Sequence, residues 1–250
     1  MALAEFRFYE ELNDFLAPEH RKRAVRRDSP AEATVKHVIE AFGVPHTEVE
    51  LILANGESVD FAYRVRAGDR VSVYPKFERL DIAPLLKVRE RPLRELRFIA
   101  DAHLGGLARR LRMLGFDVLY RNSYDDAEVA RIARDEGRVV LTRDRNLLMH
   151  RAITHGSYIH AIDPRRQLAE VLDRLDLRRA IRPFTRCLCC NAPLQPVDKS
   201  AIAERIPPTT RRYYDNYWQC TGCAHIYWQG SHWRRMQAEV KALNGATGGS

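Results

Sequence analysis

The sequence has no long apolar run. No uninterrupted stretch comes near the roughly 18 residues that a membrane-spanning helix needs. The first residues, Met1 to Phe6, also lack the basic region and apolar stretch with which a secretory signal begins. We therefore expect a cytoplasmic protein that has no membrane partner.

Lysine is missing from residues 91–186, although that stretch carries 20 basic residues, all of them arginine, against 13 acidic ones. The formal net charge of +8 is unevenly spread, because residues 1–90 carry 14 basic and 16 acidic residues. Arginine binds phosphate through its planar guanidinium, so the basic middle of the chain favours a polyanionic partner. An arginine-rich genome would explain the choice of cation but not the lack of an excess in the first 90 residues.

Cysteine is scarce, and four of the five cysteines form two C-x2-C knuckles. Cys187 and Cys190 make the first knuckle, Cys220 and Cys223 make the second, and 29 residues separate them. Two such knuckles suit one tetrahedral zinc ion in a structural site. The alternative is two disulfides, which is disfavoured because no signal peptide opens the chain and because the spacing suits a metal better. Cys189 is expected to be a bystander.

Residues 1–88 have the pattern of a small α+β domain. Ser29 to Glu32 resembles a capping box, from which a helix is expected to run to Gly43. An opening strand around Phe6 and Phe8 and later strands at 49–53, 59–65 and 68–75 are predicted, with an Asn55-Gly56 turn. This order predicts a ubiquitin-like β-grasp domain. The segment resembles the sulfur-carrier relatives of ubiquitin, but it has no free Gly-Gly end, so a docking or scaffold role is favoured.

Residues 95–182 alternate short apolar strands with amphipathic helices. Strands are predicted at 96–100, 118–120, 139–141 and 159–162. The first two helices are expected to end at Gly115 and Gly137, and Asp163-Pro164 is expected to cap a third. Apolar strands between amphipathic helices predict an α/β fold with a parallel sheet that is covered on both faces.

Acidic residues follow the ends of these strands. Asp101 comes directly after the first strand, Asp144 after the third, and Asp125 and Asp126 open the second helix. Ligands bind at the carboxyl edge of such a sheet, and clustered carboxylates are usually compensated by a divalent cation. Nearby arginines are candidates for phosphate contacts: Arg109, Arg110, Arg112, Arg143 and Arg145. Each acid also has a structural alternative, because Asp101 and Asp125 suit helix N-caps and Asp144 suits a turn.

The sequence resembles a known family in several stretches. Residues 98–117 read FIADAHLGGLARRLRMLGFD, residues 126–133 read DAEVARIA, and residues 139–148 read VVLTRDRNLL. These runs are similar to the motifs of the Mut-7 C-terminal ribonuclease domains, which are PIN-like. The two knuckles and the aromatic run Tyr217–Cys220 are similar to the zinc ribbon that follows that domain. Some bacterial members begin with a ubiquitin-like domain.

The resemblance implies a metal-dependent ribonuclease. It implies Asp101, Asp126 and Asp144 as catalytic ligands of Mg²⁺ or Mn²⁺. It further implies substrate contacts from Arg109, Arg143 and Asn146. One departure is visible, since only nine residues separate Phe116 from Asp126, too few for the helix that carries another acid in typical PIN domains. Asp117 and Asp125 are the candidates to replace that acid.

The last part of the chain combines aromatic residues with arginines. Residues 183–236 are expected to form a zinc ribbon, and residues 237–250 a disordered tail. Its aromatic and basic residues are Tyr213, Tyr214, Tyr217, Trp218, Tyr227, Trp228, Trp233, Arg205, Arg211, Arg212, Arg234 and Arg235. Aromatic stacking together with arginine contacts is typical of proteins that bind single-stranded RNA, although a small ribbon also needs aromatics for its core.

Two other functions remain open from the sequence. One is a non-catalytic RNA-binding adaptor, in which the acids are too sparse to hold a metal. The other gives the working role to the β-grasp domain, which would recruit a protein partner. The sequence leaves the oligomeric state undecided.

Overall fold

The structure is a computed structural model that describes residues 2–30, 32–75 and 96–245. The strands are β1 (Ala2–Phe8), β2 (Ala24–Ser29), β3 (Leu51–Ala54), β4 (Glu57–Val59), β5 (Arg70–Tyr74), β6 (Arg97–Ala100), β7 (Asp117–Leu119), β8 (Val139–Thr142), β9 (Gly156–Tyr158), β10 (Leu194–Val197), β11 (Tyr217–Cys220) and β12 (Ile226–Trp228). The helices are α1 (Val35–Ala41), α2 (Gly105–Met113), α3 (Asp126–Glu136), α4 (Arg145–Met149), α5 (Pro164–Arg174), α6 (Pro208–Tyr213) and α7 (Ser231–Gly245). The predicted domain limits at 88 and 95 lie outside the described residues.

The chain forms two compact units that do not follow one another in sequence. The first unit contains the described residues up to His103 together with Ser123–Ile159, and the second contains Leu104–Asn122 and the described residues from His160 onward. The predicted domains divide the chain differently and remain predictions. Among the described residues, no helix is long and apolar enough to cross a membrane.

The first unit begins with a five-stranded mixed sheet in the order β2-β1-β5-β3-β4. β1 is antiparallel to β2 and parallel to β5, and β3 is antiparallel to β5 and β4. Phe6 and Phe8 point to one face of β1 and are buried with Ile39 from α1, as the alternation in the sequence predicts. A hairpin, a helix and a mixed sheet form the predicted ubiquitin-like β-grasp domain.

Local details of this domain differ from the prediction. The Asn55-Gly56 turn is confirmed, because both residues have positive φ, 53° and 89°, as a tight hairpin requires. The capping box at Ser29 to Glu32 is wrong, because Ser29 pairs with Ala2 as the end of β2. The N-cap of α1 is Thr34, whose hydroxyl accepts a hydrogen bond from the N–H of His37 at 3.3 Å.

The strand predicted at 59–65 is wrong, because β4 occupies Glu57–Val59 and shares only Val59 with it. β4 stops at Val59, and the Asp60 carboxylate then accepts a hydrogen bond from the N–H of Ala62 at 2.9 Å. An aspartate that binds the backbone two residues ahead makes a turn and ends a strand.

The first unit also contains a parallel sheet. β6 pairs with β8 and β8 with β9, all in the parallel direction, as the apolar strands predict. Ile99 and Val140 are fully buried, and α3 covers β6 and β8. Gly137 ends α3 with a φ of 63°, which confirms the predicted helix end. The strand predicted at 159–162 is wrong, because β9 occupies Gly156–Tyr158 and the chain turns toward α5 after Ile159.

In the second unit, α2 packs against α5, and β10, β11 and β12 form an antiparallel sheet. α2 ends before Gly115, whose φ is 94°, and Asp163 caps α5 by accepting hydrogen bonds from the N–H groups of Arg165 and Arg166. Both features agree with the prediction. The small core beside the sheet contains Ile202, Ile206, Tyr217 and Ile226.

The C-terminal segment differs from the predicted disorder. α7 continues to Gly245, so residues 237–245 are helical, and residues 246–250 lie outside the described part of the chain. Val240 is 6% exposed, Glu239 pairs with Arg110 at 3.1 Å, and the carbonyl oxygen of Leu243 accepts a hydrogen bond from Arg178 at 2.8 Å. One buried apolar residue and two arginine contacts therefore hold this segment as a helix.

Candidate functional site

Asp101 lies at the carboxyl end of β6. Its N–H donates a hydrogen bond to the carbonyl oxygen of Leu141, which extends the ladder between β6 and β8 by one residue. The side chain is 9% exposed, and its Oδ2 accepts a hydrogen bond from the hydroxyl of Thr142 at 2.8 Å. A buried carboxylate needs such a donor, because desolvation without a hydrogen bond is costly.

Asp144 lies two residues after the same threonine, at the end of β8. Its N–H donates to Thr142 Oγ1 at 2.9 Å, and its carboxylate accepts from the N–H of Asn146 at 2.7 Å as the N-cap of α4. Thr142 is fully buried, so a single hydroxyl joins Asp101 to the backbone of Asp144. The structure thus places Asp101, which follows β6, and Asp144, which follows β8, at the same edge of the sheet. The structural alternative for Asp144 was a turn, and in the structure this residue instead caps α4.

Asp126 is the first residue of α3, and its neighbour carries the capping role. The carboxylate of Asp125 accepts a hydrogen bond from the N–H of Glu128 at 2.8 Å, so helix capping accounts for Asp125 but not for Asp126. Asp126 is exposed, yet partial desolvation and then the negative charges of Asp144, Asp101 and Asp125 raise its pKa, against an opposite effect of His150. Asp101, Asp126 and Asp144, here called the acidic edge, therefore share one electrostatic environment.

The acidic edge is looser than a formed metal cluster. In the part of the chain that the structure describes, one set of three or more His, Cys, Asp or Glu side chains has its ligand atoms close enough to share an ion, and that set is the four cysteines. The three carboxylates are near enough to perturb one another but do not form such a set. Carboxylates that carry the same charge repel one another, which favours this separation.

The arginines predicted at this edge have different positions. Arg143 is half-buried beside Asp144, and Asn146 is exposed in the first turn of α4. The guanidinium of Arg145 instead lies over the ring of Phe15 and donates a hydrogen bond to the Phe15 carbonyl oxygen at 3.2 Å. Arg145 is therefore a structural contact to the ubiquitin-like domain.

Arg109, Arg110 and Arg112 lie on α2 in the second unit. Arg109 is exposed and Arg110 is paired with Glu239. Arg112 is 4% exposed and donates hydrogen bonds to the carbonyl oxygens of Cys189 and Leu188, at 2.8 and 3.2 Å. Burial lowers its pKa, while the nearby cysteines act to raise it. The prediction that Arg112 contacts phosphate is wrong, because its guanidinium is used to hold the first knuckle.

The candidates to replace the missing acid also have other roles. Asp125 is the N-cap described above. Asp117 accepts a hydrogen bond from the side-chain amide of Asn191 at 2.8 Å and pairs with Arg186 at 3.4 Å. Asp117 therefore fixes β7 to the region of the first knuckle.

Cys187, Cys190, Cys220 and Cys223 come together in the second unit. All four sulfur atoms lie within 4.8 Å of one another, and the distances are 3.6 Å between Cys187 and Cys223 and 3.3 Å between Cys190 and Cys220. Cys189 lies outside this set, as predicted, and is exposed. Four thiols at these distances can hold one metal ion.

The thiols of the set differ in their acidity. Burial acts to raise the pKa of Cys187, but hydrogen bonds from the hydroxyl of Tyr227 and from the N–H groups of Cys190 and Cys189 lower it to about 6. Burial raises the pKa of Cys190. The first thiolate is thus prepared by the protein, whereas a cation is needed for all four to ionise together.

Sequence reasoning missed Thr142 and did not foresee the roles of Arg112 and Tyr227 at the first knuckle. The hydroxyl of Tyr227 lies 3.1 Å from Cys187 Sγ and accepts a hydrogen bond from the N–H of Leu188 at 3.0 Å. A signal existed for Thr142, since a threonine two residues before an aspartate at a strand end often binds the backbone of that residue. Arg112 and Tyr227 act on residues that are distant in sequence and gave no local signal.

Comparisons with known proteins identify the family of this chain. The Mut7-C RNAse domain model matches residues 96–240, and the Mut7-C ubiquitin model matches residues 1–81, which confirms the resemblance seen in the sequence. The human protein called exonuclease mut-7 homolog is 34% identical over 106 residues, which are 40% of this chain and 12% of that protein. The chain therefore matches a small part of this relative.

Solved structures were found for the N-terminal part. Small archaeal modifier protein 1 of Haloferax volcanii is 23% identical and covers 31% of this chain and 100% of its own, with a TM-score of 0.25. A second structure of that protein, SAMP1, is 20% identical and covers 30% of this chain and 97% of its own, also with a TM-score of 0.25.

Proposed function

Because the chain belongs to the Mut7-C RNAse domain family, we propose that it is a ribonuclease that hydrolyses RNA phosphodiester bonds with the help of Mg²⁺ or Mn²⁺. Asp101, Asp126 and Asp144 are the proposed catalytic residues. The observation that carries the proposal is the hydroxyl of Thr142, which joins Asp101 to Asp144 across neighbouring strands. Ordinary helix capping does not require this connection.

The donor set of the acidic edge suits these ions. Mg²⁺ and Mn²⁺ prefer carboxylate and water oxygens, and Mg²⁺ usually binds through one or two carboxylates and keeps several waters. A set of carboxylates that is looser than a closed cage fits this preference. When bound, such an ion would activate a water and stabilise the leaving oxygen of the phosphodiester.

Neighbouring residues of the chain would orient the carboxylates that bind the ion. Thr142 holds the Asp101 carboxylate, and the N–H of Asn146 holds that of Asp144. The pKa of Asp126 is raised in part because neighbouring carboxylates repel its negative charge. A cation bound among these carboxylates would relieve that repulsion, which supports a metal site here. Arg143, Arg109 and the side chain of Asn146 are the proposed contacts to the substrate.

We further propose that the four cysteines hold a structural zinc ion. All four ligands are thiols, which is the donor set of closed structural zinc sites. Metal-binding thiols must stay reduced, which supports the cytoplasm as the location. The zinc would hold the two knuckles together and leave the chemistry to the acidic edge.

The direct test is cleavage of a labelled RNA of mixed structure with Mn²⁺, with EDTA and with the Asp144→Asn variant. Metal-dependent cleavage that the variant loses, with RNA binding retained, is the expected result. Asp125→Asn is the matched control, because asparagine still caps α3 and only a neighbouring charge is removed. Loss of RNA binding in Asp144→Asn would contradict a role of this residue in catalysis.

The alternative is a non-catalytic RNA-binding adaptor. The observation that favours it is the separation of the three carboxylates, which do not form a set for one ion in the described residues. Binding of RNA without cleavage under all metal conditions would support the adaptor.

A protein partner of the ubiquitin-like domain remains a prediction. Part of this domain already packs within the first unit, where the ring nitrogens of His46 lie 2.8 Å from the Glu40 carboxylate and 2.8 Å from the carbonyl oxygen of Ile153. A partner would therefore have to use another face of the domain.

A further inference from the structure

The second unit contains a pocket whose lining residues, apart from Arg109, have no part in the proposed catalytic site. Its volume is about 540 Å³, within the range of roughly 300–1,000 Å³ that is usual for small-molecule sites. The pocket lies among the first knuckle, the strands β11 and β12, the start of α7 and one residue of α2. Its largest apolar side chains are those of Phe184, Trp218, Tyr227, Trp228, Trp233 and Met236.

The register of the ribbon sheet separates the aromatic residues into two groups. Tyr217 pairs with Trp228 on one face, and Trp218 pairs with Tyr227 on the other. Tyr217 is buried in the small core beside the sheet, and Trp228 packs against that core. Trp218 and Tyr227 belong to the opposite face and are only partly buried, so the core does not account for them.

The pocket walls are held in place by the structure around them. The hydroxyl of Tyr227 is hydrogen-bonded to the sulfur of Cys187 and to the N–H of Leu188. The rings of Phe184 and Trp233 pack against each other, with their centroids 5.4 Å apart. Side chains fixed in this way lose little conformational entropy when a ligand binds. They offer aromatic faces that are already in position.

The charges at the pocket favour an anionic ligand. Two arginines, Arg109 and Arg186, line it, and none of its described lining residues is acidic; Arg186 is already paired with Asp117, so Arg109 is the cation that a ligand could use. Arg109 is exposed and takes part in no ion pair within residues 2–30, 32–75 and 96–245. An apolar protein segment would leave the charge of Arg109 without a partner, whereas a nucleotide has both an aromatic base and a negative phosphate.

We propose that this pocket binds an unpaired nucleobase of a single strand, with the base against the aromatic walls and the adjoining phosphate near Arg109. This proposal rests on the proposed function in one respect, namely that the bound single strand is RNA. It makes the ribbon unit a second binding site for substrate, with Trp218 as a binding residue, Tyr217 as a core residue and Trp228 in contact with both the pocket and the core.

The test measures binding in the full-length, zinc-loaded protein that carries Asp144→Asn, so that cleavage plays no part. Fluorescence anisotropy would compare a labelled single-stranded RNA, a DNA of the same sequence, an RNA duplex and an abasic strand of equal length. We expect the single-stranded RNA to bind at least about 10-fold more tightly than the abasic strand, because stacking of bases on aromatics supplies much of the affinity. Equal binding of the abasic strand would overturn the proposal.

Variants then locate the site. Trp218→Ala and Trp233→Ala should each weaken binding about 10-fold, and Trp218→Phe should restore part of it. Tyr213→Ala is the matched control, because Tyr213 is 72% exposed and lies outside the pocket, and it should change binding less than about twofold. Zinc content and circular dichroism would verify that each variant is folded.

The remaining outcomes also support or overturn the proposed base pocket. If single-stranded DNA binds as tightly as RNA and loses affinity in the same variants, the base pocket stands and does not select the sugar. If both tryptophan variants are folded and bind RNA like the parent, the proposal is overturned, and an apolar partner segment becomes the better occupant. Absence of cleavage by the protein with Asp144 intact would count against the proposed nuclease but leave these binding results unaffected.

Discussion

The guanidinium of Arg145 lies 5.1 Å from the ring centroid of Phe15 and is hydrogen-bonded to the carbonyl oxygen of the same residue. Arg145 follows Asp144 directly and begins α4, whereas Phe15 belongs to the core of the ubiquitin-like domain. Tyr158 is also in contact with Phe15, with ring centroids 5.3 Å apart. The ubiquitin-like domain is thus packed against the segment that positions one proposed catalytic acid.

Arg145→Ala should weaken this connection. We expect a loss of about 1–2 kcal/mol in the free energy of unfolding, from a cation–π contact and a hydrogen bond to a charged donor. RNA cleavage should fall severalfold, because the start of α4 becomes less fixed. Chemical unfolding and cleavage rates would measure both effects. Arg131→Ala, on the exposed face of α3, is the control and should change stability by less than about 0.5 kcal/mol.

Thr142→Val should remove the hydrogen-bonded link between Asp101 and Asp144. The substitution keeps the shape of the side chain but removes the donor to Asp101 and the acceptor for the N–H of Asp144. We expect a loss of stability of about 1–3 kcal/mol and a fall in cleavage of at least about 10-fold. Thr142→Ser, which keeps the hydroxyl, should recover most of the activity. Equal activity of the valine and serine variants would contradict the bridging role of the hydroxyl.

The raised pKa of Asp126 predicts a pH dependence. Because partial desolvation and neighbouring carboxylates disfavour its charged form, Asp126 takes up a proton at a higher pH than an ordinary aspartate as the pH falls. As the pH is lowered, the cleavage rate should therefore begin to fall at a higher pH than the usual aspartate pKa would suggest. A higher concentration of Mn²⁺ should move this fall to lower pH.

The variant Asp125→Asn tests the electrostatic origin of this shift. It removes one of the charges that raise the pKa of Asp126 while the cap of α3 is kept. The acid side of the rate profile should move to lower pH, with the rate near neutral pH unchanged. A profile that stays in place would mean that the charge of Asp125 does not act on the site.

Loss of one thiol should remove the metal from the second unit. Cys220→Ser is expected to release zinc and to unfold the ribbon, because three ligands no longer close the site. Cys189→Ser is the matched control, since Cys189 is exposed and lies outside the set, and it should keep its zinc. Elemental analysis of the purified proteins measures this directly. Zinc retained in Cys220→Ser would exclude the four-thiolate site.

Arg112→Ala should destabilise the second unit through the first knuckle. The carbonyl oxygens of Leu188, Cys189 and Val118 would each lose a charged donor. We expect a loss of about 2–4 kcal/mol, because carbonyl oxygens that lose a charged donor are left without a partner, and faster loss of zinc to a chelator. Arg112→Lys should recover little, since an ammonium group cannot match three acceptors with the fork of a guanidinium.

Periodic patterns predicted much of the fold. The spacing of apolar residues and the glycines at 115 and 137 indicated α2 and α3, because a helix end at positive φ needs a residue without a side chain. The knuckle spacing indicated the cysteine cluster, since two short loops suffice to bring four thiols together. The resemblance of the motifs indicated the family.

Other features could not be read from local patterns. Ser29 to Glu32 has the composition of a helix start, but pairing of Ser29 with Ala2 in the sheet overrides it. The arginines near the acidic residues look alike in the sequence. Arg112 is buried and Arg145 packs on Phe15 because of contacts with residues far along the chain, whereas Arg109 stays exposed. The disorder expected from 237 onward overlooked how Val240 and Glu239 anchor α7.

The bonds of Arg112 join residues that are 76 and 77 positions apart. A gene fragment that began at residue 183 would encode the ribbon without the guanidinium that holds its first knuckle. A fragment that stopped at residue 182 would encode an arginine whose acceptors at Leu188 and Cys189 were gone. Transfer of the ribbon to another protein by recombination would therefore have to carry α2 with it, and the two segments should be inherited together.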